Sequence, residues 1–332
     1  MPLLKNRKIY FFTPTFSPVG GVIKIFDYLN HALSFGMNPI VVCPKKYHFY
    51  RPLFKNPQFQ HIKPHKGISF LQPEQMKISK EDFVFFSSPP DYFIIEKKLP
   101  TNYPTKRLIH LLQNVNQANP ETNQGLDIKV LSYSMSRIAC LEPILTAIKP
   151  HIDPNDPVEM ILLGHNIDFF SKARSGGLPK KINVGYTTWK NKLGDEVASR
   201  IKKQRRQFAF KSIRGKATWP KLKDFYHWTD VFLCTPDREE GIYLPGVEAM
   251  AAGSIVVTPD AVGNRVYCQF DQNCVYTEWG SAGSYINALT SLAEMPSQEI
   301  DKMRSQGYKA IRPYSLTQER EKFRIFLNNL SS

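Results

Sequence analysis

Cysteine is scarce and unpaired in this chain. Five occur, Cys43, Cys140, Cys234, Cys268 and Cys274, an odd number with no C-x-x-C spacing. Three lie in apolar, strand-like runs, where a free thiol behaves as a small hydrophobe. The pattern offers neither a disulfide framework nor a zinc site, so all five are expected to be reduced. Long apolar runs are missing too: none reaches the ~18 residues of a membrane-crossing helix. Met1 to Lys8 carries three basic residues and runs into a short strand-like stretch, without a signal-peptide core or cleavage site. A cytoplasmic location is the resulting expectation. Repeats, low-complexity segments and a Walker-type phosphate loop are also absent, which argues against a P-loop nucleotidase. Acidic residues are few: 29 Asp or Glu stand against 44 Lys or Arg, for a net charge of +15. Such a charge favours polyanions, acidic lipid surfaces or phosphorylated substrates without choosing among them.

What is present is enough for real cores. Hydrophobic residues make up 42% and aromatics 12% of 332 residues, a length that suits two ordinary domains. Strand-like apolar runs recur at 8–12, 39–43, 82–86, 107–112, 137–141 and 158–163, with helical patterns at 22–35 and 142–149. The pattern restarts at 181–186 and continues through 207–213, 229–234 and 254–258, with helices at 192–204, 244–252 and 281–293. Strands alternating with helices predict parallel sheets covered on both faces. Gly176, Gly177 and Pro179 mark 171–180 as the expected linker between two α/β units. Both halves are basic. Residues 200–223 carry ten Lys or Arg and no acid, and read as a solvated helix face with flanking loops.

The strongest stretch is 229–258, TDVFLCTPDREEGIYLPGVEAMAAGSIVVT. It reads as a buried strand, a polar loop, a short helix and a second buried strand. Glu240 falls in the loop and Glu248 near the start of the helix. Residues 241–245 between them leave backbone N–H groups at a helix N-terminus, which attracts phosphate. A carboxylate beside that site can accept hydrogen bonds from sugar hydroxyls. Loops at the carboxyl ends of parallel strands are where α/β proteins place ligands.

This segment resembles the signature of the retaining glycosyltransferases of family four, E-G-F-G-L-P-x-x-E-A-M-A-x-G. Here it stands as Glu240-Gly241-Ile242-Tyr243-Leu244-Pro245, then Glu248-Ala249-Met250-Ala251-Ala252-Gly253. The resemblance implies that Glu240 contacts the donor sugar and that Glu248 hydrogen-bonds the ribose. It also implies that backbone groups of Gly241, Ile242, Tyr243 and Leu244 help hold the donor. Tyr243 replaces the second family glycine, a departure that narrows the sugar pocket or removes a backbone contact.

Other segments match in order. PTFSPVGGVIKIFDYLNHALSFGMNPIVV resembles the first strand, glycine loop and helix, with Gly20 and Gly21 letting the backbone approach the diphosphate and the acceptor. GHNIDFF at 164–170 resembles the interdomain segment. VGYTTWKNKLG at 184–194 resembles the start of the second domain, where the family sets Arg and Lys on the donor phosphates. Lys192 keeps the lysine. Tyr186 takes the place of the arginine, so the contact would be rebuilt from Lys190 or Arg214. In RLIHLLQNVN the resemblance points to Gln113 or Asn114 near the donor sugar more than to His110. Arg265 receives no role. The run KKYHFYRPLF at 45–54 interleaves bases with aromatics, which suits a lipid headgroup surface or a lipid-linked acceptor as well as an ordinary solvated loop.

What the resemblance implies as a whole is an α/β GT-B fold, two Rossmann-like domains facing each other across a donor-binding cleft. The N-terminal acceptor domain would span 1–172 and the donor domain 180–314, with a closing helix at 315–332 packing back on the first. The implied activity is sugar transfer from a UDP-, GDP- or dTDP-sugar to a glycan, lipid-linked or small-molecule hydroxyl, with retention, in polysaccharide or glycoconjugate synthesis. Catalysis would rest on Glu240 and Lys192. No Asp-x-Asp occurs, so neither a metal nor any other cofactor is expected beyond the nucleotide-sugar. A peripheral contact with the inner membrane surface is compatible with the charge. Two other classes stay open: another GT-B enzyme, such as an epimerase or phosphorylase, and a non-catalytic nucleotide-sugar or nucleic-acid binder. No RNA-reading aromatic motif or zinc finger is present, so nucleic acid is not an expected partner.

Overall fold

The computed structural model describes residues 4–15, 20–43, 68–202, 206–215, 217–238 and 241–331. Two compact units emerge. The first takes Met1–Leu163 and Leu316–Ser332, the second Gly164–Ser315. In chain order the first unit runs β1 (Lys8–Phe12), α1 (Gly20–Ser34), β2 (Asn38–Val42), β3 (Ser69–Leu71), β4 (Phe83–Phe86), α2 (Pro89–Glu96), β5 (Leu108–Leu112), α3 (Leu126–Leu131), β6 (Ser136–Ala139), α4 (Glu142–Ile148) and β7 (Val158–Met160). The second follows with α5 (Ile167–Phe170), β8 (Ile182–Thr187), α6 (Leu193–Lys202), β9 (Phe208–Ile213), α7 (Trp219–Trp228), β10 (Val231–Leu233), α8 (Leu244–Ala251), β11 (Ile255–Thr258), β12 (Cys274–Tyr276), α9 (Ala282–Glu294) and α10 (Ser297–Ile311). The chain then returns to the first unit through α11 (Leu316–Ser331).

Among the described residues the first unit holds a parallel seven-stranded sheet in the order β3-β2-β1-β4-β5-β6-β7. Its central strands are apolar nearly throughout, because both faces are covered. Tyr10 stands opposite Ile40 on one side and Val84 on the other. The second unit holds a parallel five-stranded sheet in the order β12-β11-β10-β8-β9. Its core gathers Val184, Tyr186, Val197, Ile201, Val231, Leu233, Val257 and Tyr285 around one face.

Helix α1 shows how a sequence pattern becomes packing. Val22, Ile25, Phe26, Leu29 and Ala32 recur at helical spacing and are buried. Lys24, Asp27 and His31 are buried as well. Their cover is α11, where Glu319 accepts from Lys24 Nζ at 2.7 Å and lies 2.9 Å from His31 Nε2. Lys24 also reaches Asp27 at 2.9 Å. Burial works against the Lys24 charge, but Asp27 and Glu319 outweigh it and raise its pKa above the ordinary lysine value. Phe323 closes the same seam, edge-on to Tyr28 at 4.8 Å and to Phe85 at 6.0 Å. Such aromatic pairs contribute about 0.5–1.5 kcal/mol each beyond area burial.

The expected linker 171–180 lies inside the second unit. Arg174 donates to the Ala252 carbonyl at 2.9 Å and pairs with Asp230 at 2.6 Å. The N–H groups of Gly176 and Gly177 reach the Asp301 carboxylate at 2.9 and 3.2 Å. Gly177 has φ 75°, and a Cβ there would fall 2.9 Å from Ser297 Cα. The glycine pair therefore marks a tight docked turn, and the chain crosses between the units at Leu163/Gly164.

All five cysteines are buried free thiols. No helix among the described residues is long and apolar enough to cross a membrane.

Candidate active site

The order of the second sheet reverses at β8. From there the chain turns through α6 to β9 on one side, while β10 lies on the other. Such a reversal opens a crevice at the carboxyl ends of the strands. The loops after β8 and β10 meet there. Asn191 joins them, its amide donating to the Thr235 carbonyl at 3.3 Å while its Oδ1 accepts from the Leu193 N–H at 3.0 Å at the start of α6. Around this point lies a cavity of about 650 Å³, within the usual range for small-molecule sites. Lys192, Asp195, Glu196, Thr235, Trp279 and Tyr285 are among its walls. Of the described lining residues Lys192 is the one base, and it is exposed.

Lys190 and Arg214, the expected replacements for the missing arginine, both hold carboxylates. Lys190 pairs with Asp237 at 3.2 Å. Arg214 Nη1 donates to Asp195 at 3.1 Å, and the Tyr186 hydroxyl donates to the same carboxylate at 2.7 Å. Against a burial contribution that raises it, these two partners hold the Asp195 carboxyl below the usual range. Tyr186 thus fixes the first turn of α6 from behind. Arg265, left without a role, grips Asp260 through two hydrogen bonds of 2.7 and 2.8 Å.

Helix α8 begins at Leu244 with Pro245 in its first turn and no side chain capping it. Proline suits that position because its missing N–H would have no helical partner. Gly241, Ile242 and Leu244 are half-buried before and at its start. Tyr243 is 3% exposed. Its hydroxyl meets Thr187 Oγ1 at 3.1 Å, and burial pushes it well above the ordinary tyrosine pKa. The ring is packed inside the unit. Glu248 is buried on α8, its Oε1 2.9 Å from His165 Nε2, and is not among the residues lining the cavity. Glu240 and the run 45–54 lie outside the described residues.

The first sheet reverses between β1 and β4, and three expected residues stand at that point. Gln113, directly after β5, donates to Ser87 Oγ at 2.9 Å and to the Gly21 carbonyl at 3.3 Å. Gly20 opens α1 beside it and is exposed. Asn114 turns away: its Oδ1 accepts from the Asn116 N–H at 2.9 Å and caps its own short turn. His110 is a core residue, stacked on Phe86 at 4.6 Å, with burial first and Arg137 second lowering its pKa to about 3.

The whole chain is similar to solved structures of one architecture. Anabaena HepE in complex with UDP superposes with a TM-score of 0.71 at 14% identity, over 97% of this chain and 100% of that one. A sucrose-phosphate synthase from Thermosynechococcus elongatus gives 0.71 at 10%, over 98% and 99%. A UDP-forming α,α-trehalose-phosphate synthase from Burkholderia vietnamiensis gives 0.69 at 10%, over 99% and 98%. The fold is GT-B. No protein-family model and no curated protein matches the chain.

Within this GT-B chain, sequence reading missed three polar residues. Ser87 follows the wholly buried β4 and faces Gln113; a polar residue directly after an apolar strand was its signal. Asp91 sits in the first turn of α2, buried, its Oδ2 without a partner among the described residues. Burial pushes its carboxyl up to about 7. His165 lies in the segment 164–170 already noted, but its pairing left no local signal, because its partner is 83 residues away.

Proposed function

We propose that this chain transfers a sugar from a nucleoside diphosphate sugar to a hydroxyl acceptor, with retention and without a metal. The observation that carries the reading is the sequence segment from Glu240 to Gly253, which follows β10 in the chain, together with a cavity lined by Lys192 and by Thr235 just after that strand. In this reading the diphosphate lies against Lys192 and the uncapped start of α8, where the helix dipole favours negative charge. Glu248 holds the ribose and Glu240 faces the sugar. Gly20 and Gly21 serve the diphosphate and the acceptor, and Gln113 the donor sugar, as the resemblance implies. UDP and UDP-glucose are bound by HepE, which makes a UDP-sugar the first donor to try here.

The chemistry then needs little beyond placement. The acceptor oxygen forms a bond to the anomeric carbon as the bond from that carbon to the β-phosphate oxygen breaks. The bonding pair leaves with the diphosphate, and the acceptor proton passes to the departing phosphate oxygen. Lys192 and backbone N–H groups stabilise the charge that develops there, and Glu240 favours positive charge at the sugar ring. No separate base is required.

Thermal-shift screening against UDP, GDP, dTDP and ADP and their sugars tests the donor. A ligand at ~100 times its dissociation constant adds about 2.7 kcal/mol of stability. Release of nucleoside diphosphate that depends on acceptor separates a transferase from an epimerase. No shift with any nucleotide at millimolar concentration overturns the reading. Loss of transfer in EDTA, restored by Mn²⁺ or Mg²⁺, overturns its metal-free part.

A further inference from the structure

We propose that His165 is a positioning residue for nucleotide binding, fixing the Glu248 carboxylate for the ribose hydroxyls of a nucleoside diphosphate. This rests on the reading of Glu248 as the nucleotide-holding carboxylate.

The ring is placed independently of the glutamate. The His165 N–H donates to the Tyr314 carbonyl at 2.8 Å, and the residue forms a bridge with Ser315. Its imidazole stacks on Phe170 at 5.7 Å with 13° between the planes and lies 5.6 Å from the Trp219 ring. Main chain and ring are thus fixed before Nε2 meets Glu248 Oε1 at 2.9 Å. Both side chains are 8% exposed.

Three consequences follow from elementary electrostatics. A carboxylate under such cover needs a donor, and His165 supplies one. The bond engages Oε1, so it sets the rotation of the whole carboxylate. Tyr226, also buried, packs near the same group: burial and then the Glu248 charge raise its hydroxyl pKa far above the ordinary value. A phenol held neutral beside the carboxylate adds no competing charge. A carboxylate preset in this way loses less rotational freedom when it receives two hydroxyls. The position also sits where the second unit begins and ends, since Gly164 and Ser315 are its terminal residues.

The test uses the full chain and whichever of UDP, GDP, dTDP or ADP stabilises it most. His165→Phe keeps a ring for Phe170 and Trp219 but removes the donor. Its nucleotide dissociation constant should rise ten-fold or more, with kcat at saturating donor within three-fold of wild type. His165→Gln restores an N–H and should bring the dissociation constant back to within about three-fold. A folded His165→Phe protein with unchanged nucleotide affinity overturns the positioning role. So does a loss in thermal stability alone, without a change in affinity. Glu248→Ala separates the two ideas. If it weakens nucleotide binding while His165→Phe does not, only the role of His165 fails. If neither weakens it, the reading of Glu248 fails first. Non-additive losses in the double variant, close to the larger single loss, support the coupling.

Discussion

Glu319 in the first unit and Glu248 in the second are both buried, and each has a histidine Nε2 at 2.9 Å. Their company differs. Glu319 also receives Lys24 at 2.7 Å, and Lys24 in turn holds Asp27. That cluster carries two carboxylates, a lysine and a histidine, and it joins two helices far apart in sequence. Glu248 has His165 and the nearby Tyr226, with no lysine at hydrogen-bond distance among the described residues. Asp91 extends the series: its Oδ2 has no partner among the described residues, and burial alone pushes its carboxyl up to about 7. A buried carboxylate neutralised by a lysine is a structural knot. In the proposed reading the one beside a histidine is left to receive a ligand, and burial keeps the proton on the one whose Oδ2 has no partner among the described residues.

The comparison breaks most visibly at Glu319. Glu319→Ala leaves Lys24 and His31 without their shared partner, and removing one member of a buried ion cluster costs about 3–5 kcal/mol. Denaturant unfolding should show that loss, with nucleotide affinity unchanged in the folded fraction. A loss below about 1 kcal/mol would put Glu319 with surface pairs. Next comes Glu240→Gln, four residues before α8 in the sequence. It should cut kcat by roughly 10²–10³ while leaving nucleoside diphosphate affinity within a few-fold, since its charge matters most as the sugar becomes cationic. Near-normal turnover would remove Glu240 from the chemistry.

Glu248→Ala should be milder, about 1.5–3 kcal/mol in nucleotide binding, read by calorimetry. Equal losses of nucleotide binding in the Glu240 and Glu248 variants would mean that the two roles are misassigned. Asp91→Asn has the smallest effect at low pH, and there the comparison is read through pH. The unfolded carboxyl ionises near its ordinary value, while the folded one keeps its proton until about pH 7. The folded state therefore binds more protons between those values, and stability falls as pH rises through that window. The asparagine variant should match wild type near pH 4 and exceed it by up to about 4 kcal/mol at pH 7–8. A pH-independent difference would show that Asp91 is already ionised.

Much of this was legible from local pattern. Runs such as KIYFF and IVVT announce buried parallel strands because nearly every residue in them is apolar. Helix α7 was hidden by charge: its lysines made 200–223 read as solvated surface. A better signal was present in Thr218-Trp219-Pro220, a capping threonine followed by a first-turn proline, and Thr218 does accept from the Lys221 N–H. Helix α10 was missed although Ile300, Met303, Arg304, Gly307 and Ile311 keep a helical spacing and are all buried. The candidate site was less legible. Nothing in the local sequence shows that Tyr243 is buried with its hydroxyl on Thr187, 56 residues away. Glycines misled in the other direction, since a pair that suggests a linker serves equally well in a tight docked turn. Pairings such as Lys24 with Glu319, 295 residues apart, leave no trace in local spacing.

The return of α11 to the first unit also sets a timetable for synthesis. Residues 316–331 leave the ribosome only after the whole of the second unit, which is continuous from Gly164 to Ser315. Until then Lys24 and His31 lack Glu319, and Tyr28 and Phe85 lack Phe323. Domains ordinarily mature from the N-terminus as the chain emerges. Here the later-made unit can complete its core first, while the earlier one waits with an apolar seam open for chaperones to cover.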